Sequence, residues 1–462
     1  MYKKLLIVFL LAFLVRLIAI DQSLWLDEAV TANVVESYSY SEIITKFSPT
    51  DFHPPLFYLV EKFWINIFGY SEIALRFPSV IFSLITGWMI YLIGKKMKDA
   101  NVGLFAAALF LFNPLIIYYS QEARMYSLIT LFVTMIIYYL LKIAGPGKSF
   151  PPVSARHGSH DLRAVRSPST LATRNIVLIN IFILLSFLTF YGSIFFIFAI
   201  YIWLLIKREF KLLFMLLPGF ILAVLLVFPL FINQYLNSKI ALNDVKNWSL
   251  VLGKANIKNL LLIPLKFSIG RISFEPKILY YSIAGLWSLF VFYFLAKGWK
   301  NTLFLITLLT VFLAFIASFF TPLLQYFRFI YLIPLISLLL AINTKNKLTK
   351  AVLLSGFIIF SLIYLLNSNY HREDWKSLVG DLKTKTIYMI PSSSDAVKYY
   401  NKNIEVRSLN QVSEMHLENE ITVIPYTSEI HGVDYVKELS RKYYELSSEK
   451  SYRELKIETW KL

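Results

Sequence analysis

Apolar residues run in long blocks along most of this chain instead of alternating with polar ones. Blocks at 5–20, 80–93, 104–118 and 302–320 are long enough, alone or with their flanks, to cross roughly 30 Å of hydrocarbon as helices. The same reading along the whole chain predicts about eleven spans, at 5–20, 76–94, 102–119, 124–142, 175–189, 191–206, 212–231, 278–296, 301–320, 327–342 and 350–367. Residues 175–206 are almost continuously apolar and are read as two short helices hinged near Tyr191 and Gly192. From about residue 371 the pattern changes. Strand-like stretches at 386–390 and 421–424 interleave with helical ones at 394–400 and 433–444, which predicts a small α/β unit.

Composition agrees with a membrane protein: 57% of the 462 residues are hydrophobic, only 16% are charged, and mean hydropathy is +0.59. The net charge of +17 suggests nucleic acid until its location is considered. Residues 371–462 hold 14 Lys and Arg against 15 Asp and Glu, so the whole excess lies among the apolar blocks. There it gathers in short connections: Lys3 and Lys4, Lys95 to Lys98, the 143–174 loop, Lys207 to Lys211, Lys297 and Lys300, and Lys345 to Lys350. Basic residues mark the cytoplasmic side of a membrane protein. This assignment puts the N-terminus inside and places 21–75, 120–123, 232–277, 321–326 and the tail 368–462 outside. The expected organisation is therefore a transmembrane domain over 1–367 and an extracytoplasmic soluble domain over 368–462, in the cell membrane. No nucleic-acid partner is expected. Met1 to Lys4 followed by an apolar run has the form of a signal peptide, but no small-residue cleavage site follows, so it reads as an uncleaved first span.

There is no cysteine, which excludes disulfides and thiolate metal sites. The 145–174 stretch, rich in Pro, Ser, Arg and His, is expected to be a disordered cytoplasmic loop, with His157 and His160 solvated within it.

Candidate chemistry collects on the outer side. The 21–75 loop is too long for a simple connector, and its segments 40–47 and 56–68 have the amphipathic pattern of helices lying on a membrane surface. It carries Asp27 and Glu28 just after the first span, where a carboxylate can reach a reactant whose lipid tail stays in the bilayer. Both could equally serve the N-terminus of a helix. The very short connection between spans three and four carries Glu122, Arg124 and Tyr126 in apolar surroundings, where charge is costly. Arg328 opens a late span, and its planar fork of donors suits a phosphate. His53 is available for orientation or for a metal, although Pro54 and Pro55 after it also fix the chain.

These residues resemble a known class. Trp25-Leu26-Asp27-Glu28, His53-Pro54-Pro55-Leu56-Phe57-Tyr58, the stretch Phe68 to Ser79, Gln121-Glu122-Ala123-Arg124-Met125-Tyr126 and Arg328-Phe329 are similar to motifs of the GT-C glycosyltransferases, which include protein O-mannosyltransferases and aminoarabinose transferases. His371 to Lys376 resembles a segment that often follows their last span. The chain departs from many relatives at Thr189-Phe190-Tyr191, where a His-Tyr pair is usual, and at Phe329, where Tyr is usual. The resemblance implies a polyprenyl-phosphate-linked sugar donor and a lipid, glycan or protein acceptor. It implies inverting transfer with Asp27 as general base, Arg124 and Arg328 on the donor phosphate, and His53 and Tyr126 positioning substrate. Glu28 and Glu122 would orient the acceptor; with His53, Glu28 could instead hold a divalent metal ion, the only cofactor suggested. The competing expectations are a lipid-linked-sugar transporter or flippase, and a non-catalytic polyprenyl-phosphate-binding protein.

Overall fold

The computed structural model describes residues 2–144, 170–414 and 418–462. The loop expected to be disordered, with His157 and His160, lies outside them except at its ends, where 143–144 and 170–174 are helical.

Every predicted span is helical. In chain order the helices are α1 (Tyr2–Leu17), α2 (Leu26–Ser37), α3 (Leu56–Phe68), α4 (Glu72–Met97), α5 (Ala100–Leu111), α6 (Pro114–Ser120), α7 (Tyr126–Ala144) and α8 (Thr170–Thr189). Then come α9 (Ser193–Ile206), α10 (Phe210–Asp244), α11 (Ile257–Ile269), α12 (Lys277–Ala296), α13 (Thr302–Ala317), α14 (Ile333–Asn343) and α15 (Lys347–Leu366). Among the described residues, seven helices are long and apolar enough to cross a membrane, or eight if the bent pair α5–α6 is one span. The remaining three predicted spans, α1, α9 and α13, are helices of 16, 14 and 16 residues, short of a straight crossing. The 175–206 block does break in two, at residues 190–192 between α8 and α9.

The bend between α5 and α6 is 62°, and its cause is local. Pro114 cannot continue α5, and Asn113 caps the new helix by accepting from the amides of Leu115 and Ile116 at 3.0 and 3.2 Å. The carbonyls left over are satisfied from other helices. Leu111 O accepts from the buried Arg16 at 3.0 Å, and Phe112 O accepts from Ser361 at 3.0 Å. Such satisfaction is what permits a break inside an apolar environment. The chain leaving α6 is held too, because Gln121 donates to the carbonyls of Arg16 and Ile18 at 2.9 and 2.6 Å. The bend therefore fixes residues 121–125.

Helix α10 has 35 residues, about 52 Å of helix against roughly 30 Å of hydrocarbon. Its far end extends beyond a span and meets the first loop. Gln234 there donates to the carbonyls of Ser48 and His53 at 2.6 and 3.0 Å, and Asn237 donates to Pro49 O at 2.9 Å.

The tail forms a five-stranded sheet in the order β2-β1-β3-β5-β4, from β1 (Thr386–Met389), β2 (Glu405–Ser408), β3 (Glu420–Val423), β4 (Glu445–Tyr452) and β5 (Leu455–Lys461). Strand β1 runs parallel to β2 and β3, while β5 is antiparallel to β3 and β4. The tail packs against α2. Ala29 of α2 shares an apolar core with Trp375, Leu378 and Val397. Polar contacts surround that core: Asn33 donates to Asp395, Tyr400 accepts from Leu24 N at 2.8 Å, and Lys376 pairs with Glu72. Helix α2 is thus clamped between the membrane helices and the tail.

Candidate active site

Asp27 and Glu28 lie in the first turn of α2. Neither caps it. The N-cap is Trp25, which makes no side-chain capping bond, so both carboxylates are free for other partners. Consecutive positions on a helix point about 100° apart, and the two residues meet different surroundings.

Glu28 faces inward and is fully spent. Its carboxylate takes two bonds from Arg76, at 2.8 and 2.6 Å, and one from the amide of Ala123 at 2.8 Å. Both side chains of the pair are 1% exposed. Arg76 uses its other donors on the carbonyls of Ile20, Gln22 and Ser23. The pair ties α2, α4, the end of the first span and the 121–125 connection into one rigid corner. Glu28, expected to orient the acceptor or to serve as a ligand, is here engaged by Arg76 and the amide of Ala123. Nor does the structure bring Glu28 and His53 into a metal site: among the described residues no group of three or more His, Cys, Asp or Glu side chains is placed to hold a metal ion.

Asp27 faces outward and is barely engaged. Its carboxylate lies 3.4 Å from Arg124 and stays 39% exposed, whereas Arg124 is 5% exposed. Electrostatically Asp27 is close to Tyr58, Tyr126, Glu122, Arg372 and Tyr426, so it stands where the first loop, α7 and the tail converge.

Near Tyr58, as Asp27 also is, lies Asp51, a carboxylate that no sequence motif singled out. Asp51 accepts from the Tyr58 hydroxyl at 2.8 Å, lies 3.6 Å from His53 Nδ1, and also interacts with Arg124. Burial pushes the Asp51 carboxyl up, but His53, Arg124 and the Phe52 amide together outweigh it and hold it below the usual carboxylate range. His53 is held through its own carbonyl by Gln234, whose side-chain carbonyl accepts from Tyr191 at 2.5 Å. Tyr191 belongs to the segment that departs from the expected His-Tyr pair, and here it braces the His53 loop instead.

Glu122 is buried and anchored. It accepts from Trp25 Nε1 at 3.1 Å and pairs with Arg372 at 3.2 Å, and its backbone carbonyl accepts from Ser79. Burial, then the nearby charge of Glu28, push Glu122 well above the usual carboxylate range, against the pull of Arg124 and Arg271. The guanidinium of Arg372 is sandwiched between the rings of Trp25 and Tyr118, 3.8 and 4.7 Å from their centres. Arg271 donates to the Tyr118 hydroxyl at 2.7 Å, and with Arg372, His371 and Glu454 it lines a polar cleft of about 100 Å³. Arg271 and Arg372 were both missed. Arg372 sat within the quoted 371–376 segment, whereas Arg271 has no local pattern to mark it.

Arg328 lies in the short helical turn Tyr326–Leu332 that leads into α14. Its side chain makes no hydrogen bond or ion pair among the described residues, and it interacts with Tyr126, which in turn interacts with Arg124. Of the expected residues, then, the structure gathers Asp27, Arg124, Tyr126 and Arg328 on one side, with His53 behind Asp51. It gathers Glu28 and Glu122 in a saturated corner.

Residues 52–150 match the family model of dolichyl-phosphate-mannose-protein mannosyltransferases. No curated protein matches the chain by sequence. In structure the chain is similar to ArnT of Cupriavidus metallidurans, in its apo state and bound to undecaprenyl phosphate, with TM-score 0.59 at 11% identity, covering 98% of this chain and 97% of that one. It is also similar to the Archaeoglobus fulgidus oligosaccharyltransferase tethered with an acceptor peptide, with TM-score 0.52 at 12% identity, covering 97% and 73%. The chain is a multi-pass membrane protein, and its described residues have the GT-C glycosyltransferase fold.

Proposed function

We propose that this protein moves a monosaccharide from a polyprenyl-phosphate carrier to an acceptor hydroxyl at the extracytoplasmic face, with inversion. The observation that carries the reading is the state of Asp27. It is a carboxylate at the centre of the outer cluster that keeps a single long ion pair and substantial exposure. A base must have an oxygen to offer, and Glu28 and Glu122 do not. The matched family model and the undecaprenyl-phosphate-bound ArnT support the donor class.

In this mechanism the acceptor oxygen attacks the anomeric carbon. The bond from that carbon to the phosphate oxygen breaks, and its electron pair leaves with the polyprenyl phosphate. Asp27 takes the acceptor proton as attack proceeds. Arg328 and Arg124 face the departing phosphate, whose growing charge needs fixed positive partners in a water-poor site. Arg328 is suited to this because its guanidinium is otherwise uncommitted. Tyr126 interacts with both cations, and His53, held through its carbonyl by Gln234, borders the acceptor side in this reading. Glu122 holds Trp25 and Arg372 in place, so it acts on orientation. A phosphate leaving group needs no general acid, which favours direct displacement over a two-step retaining route. The same reading sets the N-terminus in the cytoplasm, with 1–367 as the catalytic membrane domain and 368–462 as an extracytoplasmic domain closing over α2.

The test is sugar transfer by purified, reconstituted protein, using the polyprenyl-linked sugars extracted from the same membranes and analysed by mass spectrometry. Transfer with inverted anomeric configuration is expected. A retained anomer would overturn the mechanism. Carrier bound or moved across the bilayer with no transfer would favour the flippase or binding-protein readings.

A further inference from the structure

Arg328 makes no side-chain bond among the described residues, so its aim depends on how its backbone is held. Its amide donates to Gln325 O at 3.1 Å. Gln325 precedes the turn Tyr326–Leu332 but does not cap it with its side chain. Instead that side chain donates to Val251 O at 2.8 Å, and the neighbouring amide of Leu324 donates to Gly253 O at 2.9 Å. Two bonds thus clasp the residues before Arg328 to the segment between α10 and α11. The approach is close. Gly253 has φ +92°, and a Cβ there would lie 2.4 Å from Leu324 O. Only glycine accommodates that conformation and that contact together.

The same segment is held at its other end by the tail. The Asn247 amide donates to Ile430 O at 2.9 Å, and the Asn247 side chain donates to Glu429 O at 2.8 Å. Both carbonyls belong to the tail's helical turn Ser428–His431, and Lys246 packs over Gly432, which ends that turn at φ +69°. Between the two clasps lies the short helical turn Trp248–Leu252. None of its residues is buried, and Leu250 is 62% exposed. An apolar core therefore does not explain where this segment runs. Polar bonds tie it at one end to the tail and at the other to the Arg328 turn, and the tail is itself seated on α2, the helix that carries Asp27.

We propose that Asn247–Gly253 is a tie through which the tail sets the position of Arg328, with Gly253 and Gln325 as positioning residues for the donor phosphate. The inference rests on Arg328 meeting that phosphate. It gives the tail a part in donor binding, besides its contacts with α2. A long side chain without partners binds only as well as its backbone is placed, because backbone drift is absorbed by the bonding geometry of the guanidinium.

The test is titration of the full-length protein with undecaprenyl phosphate, made for Gly253→Ala, Gln325→Ala and Asn247→Ala, each alone and each combined with Arg328→Ala. Gly253→Ala and Gln325→Ala should each weaken binding about fivefold, the worth of one hydrogen bond. Asn247→Ala, at the far end of the tie, should weaken it about twofold. In the Arg328→Ala background none of the three should weaken it further, because a change that acts through one residue does not add to the loss of that residue. Gln325→Ala is the decisive variant. Its bond to Val251 is exposed, so the protein should fold and melt as the wild type does. Unchanged affinity in Gln325→Ala overturns the proposal. So do losses that persist in full in the Arg328→Ala background, which would mark the segment as acting on the fold or on the lipid directly. If Arg328→Ala alone binds undecaprenyl phosphate as the wild type does, the reading beneath the proposal has failed instead.

Discussion

The charges around α2 fall into two groups, and they differ in how far each charge is satisfied. On one side Glu28 takes two bonds from Arg76 and one from Ala123, Arg76 spends its other donors on three backbone carbonyls, and Glu122 is held by Trp25 and Arg372. On the other side the Asp27 carboxylate has one long contact, Arg124 reaches only Asp27, at its carboxylate and its backbone carbonyl at 3.4 and 3.5 Å, and Arg328 has no side-chain partner among the described residues. The two sides meet at consecutive residues of one helix. Saturated buried charges fix geometry, whereas unsaturated ones wait for a ligand, because leaving such groups unpaired costs stability that only a function would justify.

The strongest way to break this comparison is to remove the open carboxylate. Asp27→Asn should cut transfer by about 10²- to 10⁴-fold, the range supplied by a general base, with the melting temperature in detergent nearly unchanged. Transfer at the wild-type rate would show that the open side is not where the proton goes. Glu28→Gln should do the reverse. It leaves Arg76 buried without its counter-charge, which typically costs about 3–5 kcal/mol. Thermal unfolding should report a large loss of stability, and activity should fall only in step with the folded fraction. A stable Glu28→Gln protein with greatly reduced kcat would place Glu28 in the chemistry after all.

Arg328→Ala probes the open side from its cationic edge. Arg328 has no structural bond to lose, so its removal should leave stability within about 0.5 kcal/mol. Donor binding should weaken about tenfold, which corresponds to one charge-assisted contact. Titration with undecaprenyl phosphate measures this directly, and unchanged affinity would take Arg328 out of the donor site.

How much of this was visible in the sequence varies with the kind of signal. The apolar blocks marked all the membrane helices, because a helix in lipid must be apolar over most of its length. They could not show that α1, α9 and α13 fall short of a full crossing. The α5–α6 bend was written in Asn113-Pro114, but hydropathy averages across such a signal. The charged residues of the site were found as residue types, and their division into open and closed sides was not. Glu28 and Asp27 look alike until Arg76, 48 positions away in the chain, takes one of them. Arg372 reaches Trp25 and Glu122 across roughly 250 to 350 residues of chain, a pairing no local pattern carries. In the tail, β1 and β3 were legible from their apolar residues. Strand β4 was not, because Glu445–Tyr452 is an almost wholly exposed edge strand without apolar alternation.

One carboxyl on the closed side breaks its pattern and gives the smallest test of it. Glu61, in α3, is fully buried, yet neither of its oxygens has a hydrogen-bond partner among the described residues. Burial first, and then the charge of Glu28, push it well above the usual carboxylate range. The sign of its effect on stability follows. A carboxyl raised by folding binds its proton more tightly in the native state than in the unfolded one. Its contribution is greatest below the ordinary carboxylate range and is lost as pH climbs above it. Glu61→Gln keeps the shape without the proton equilibrium. The variant should therefore melt close to wild type near pH 4 and about 2–4 °C above it near pH 8, with the difference growing steadily between. A difference that stays flat across that window would mean Glu61 is paired after all, and that the closed side of the site is saturated throughout.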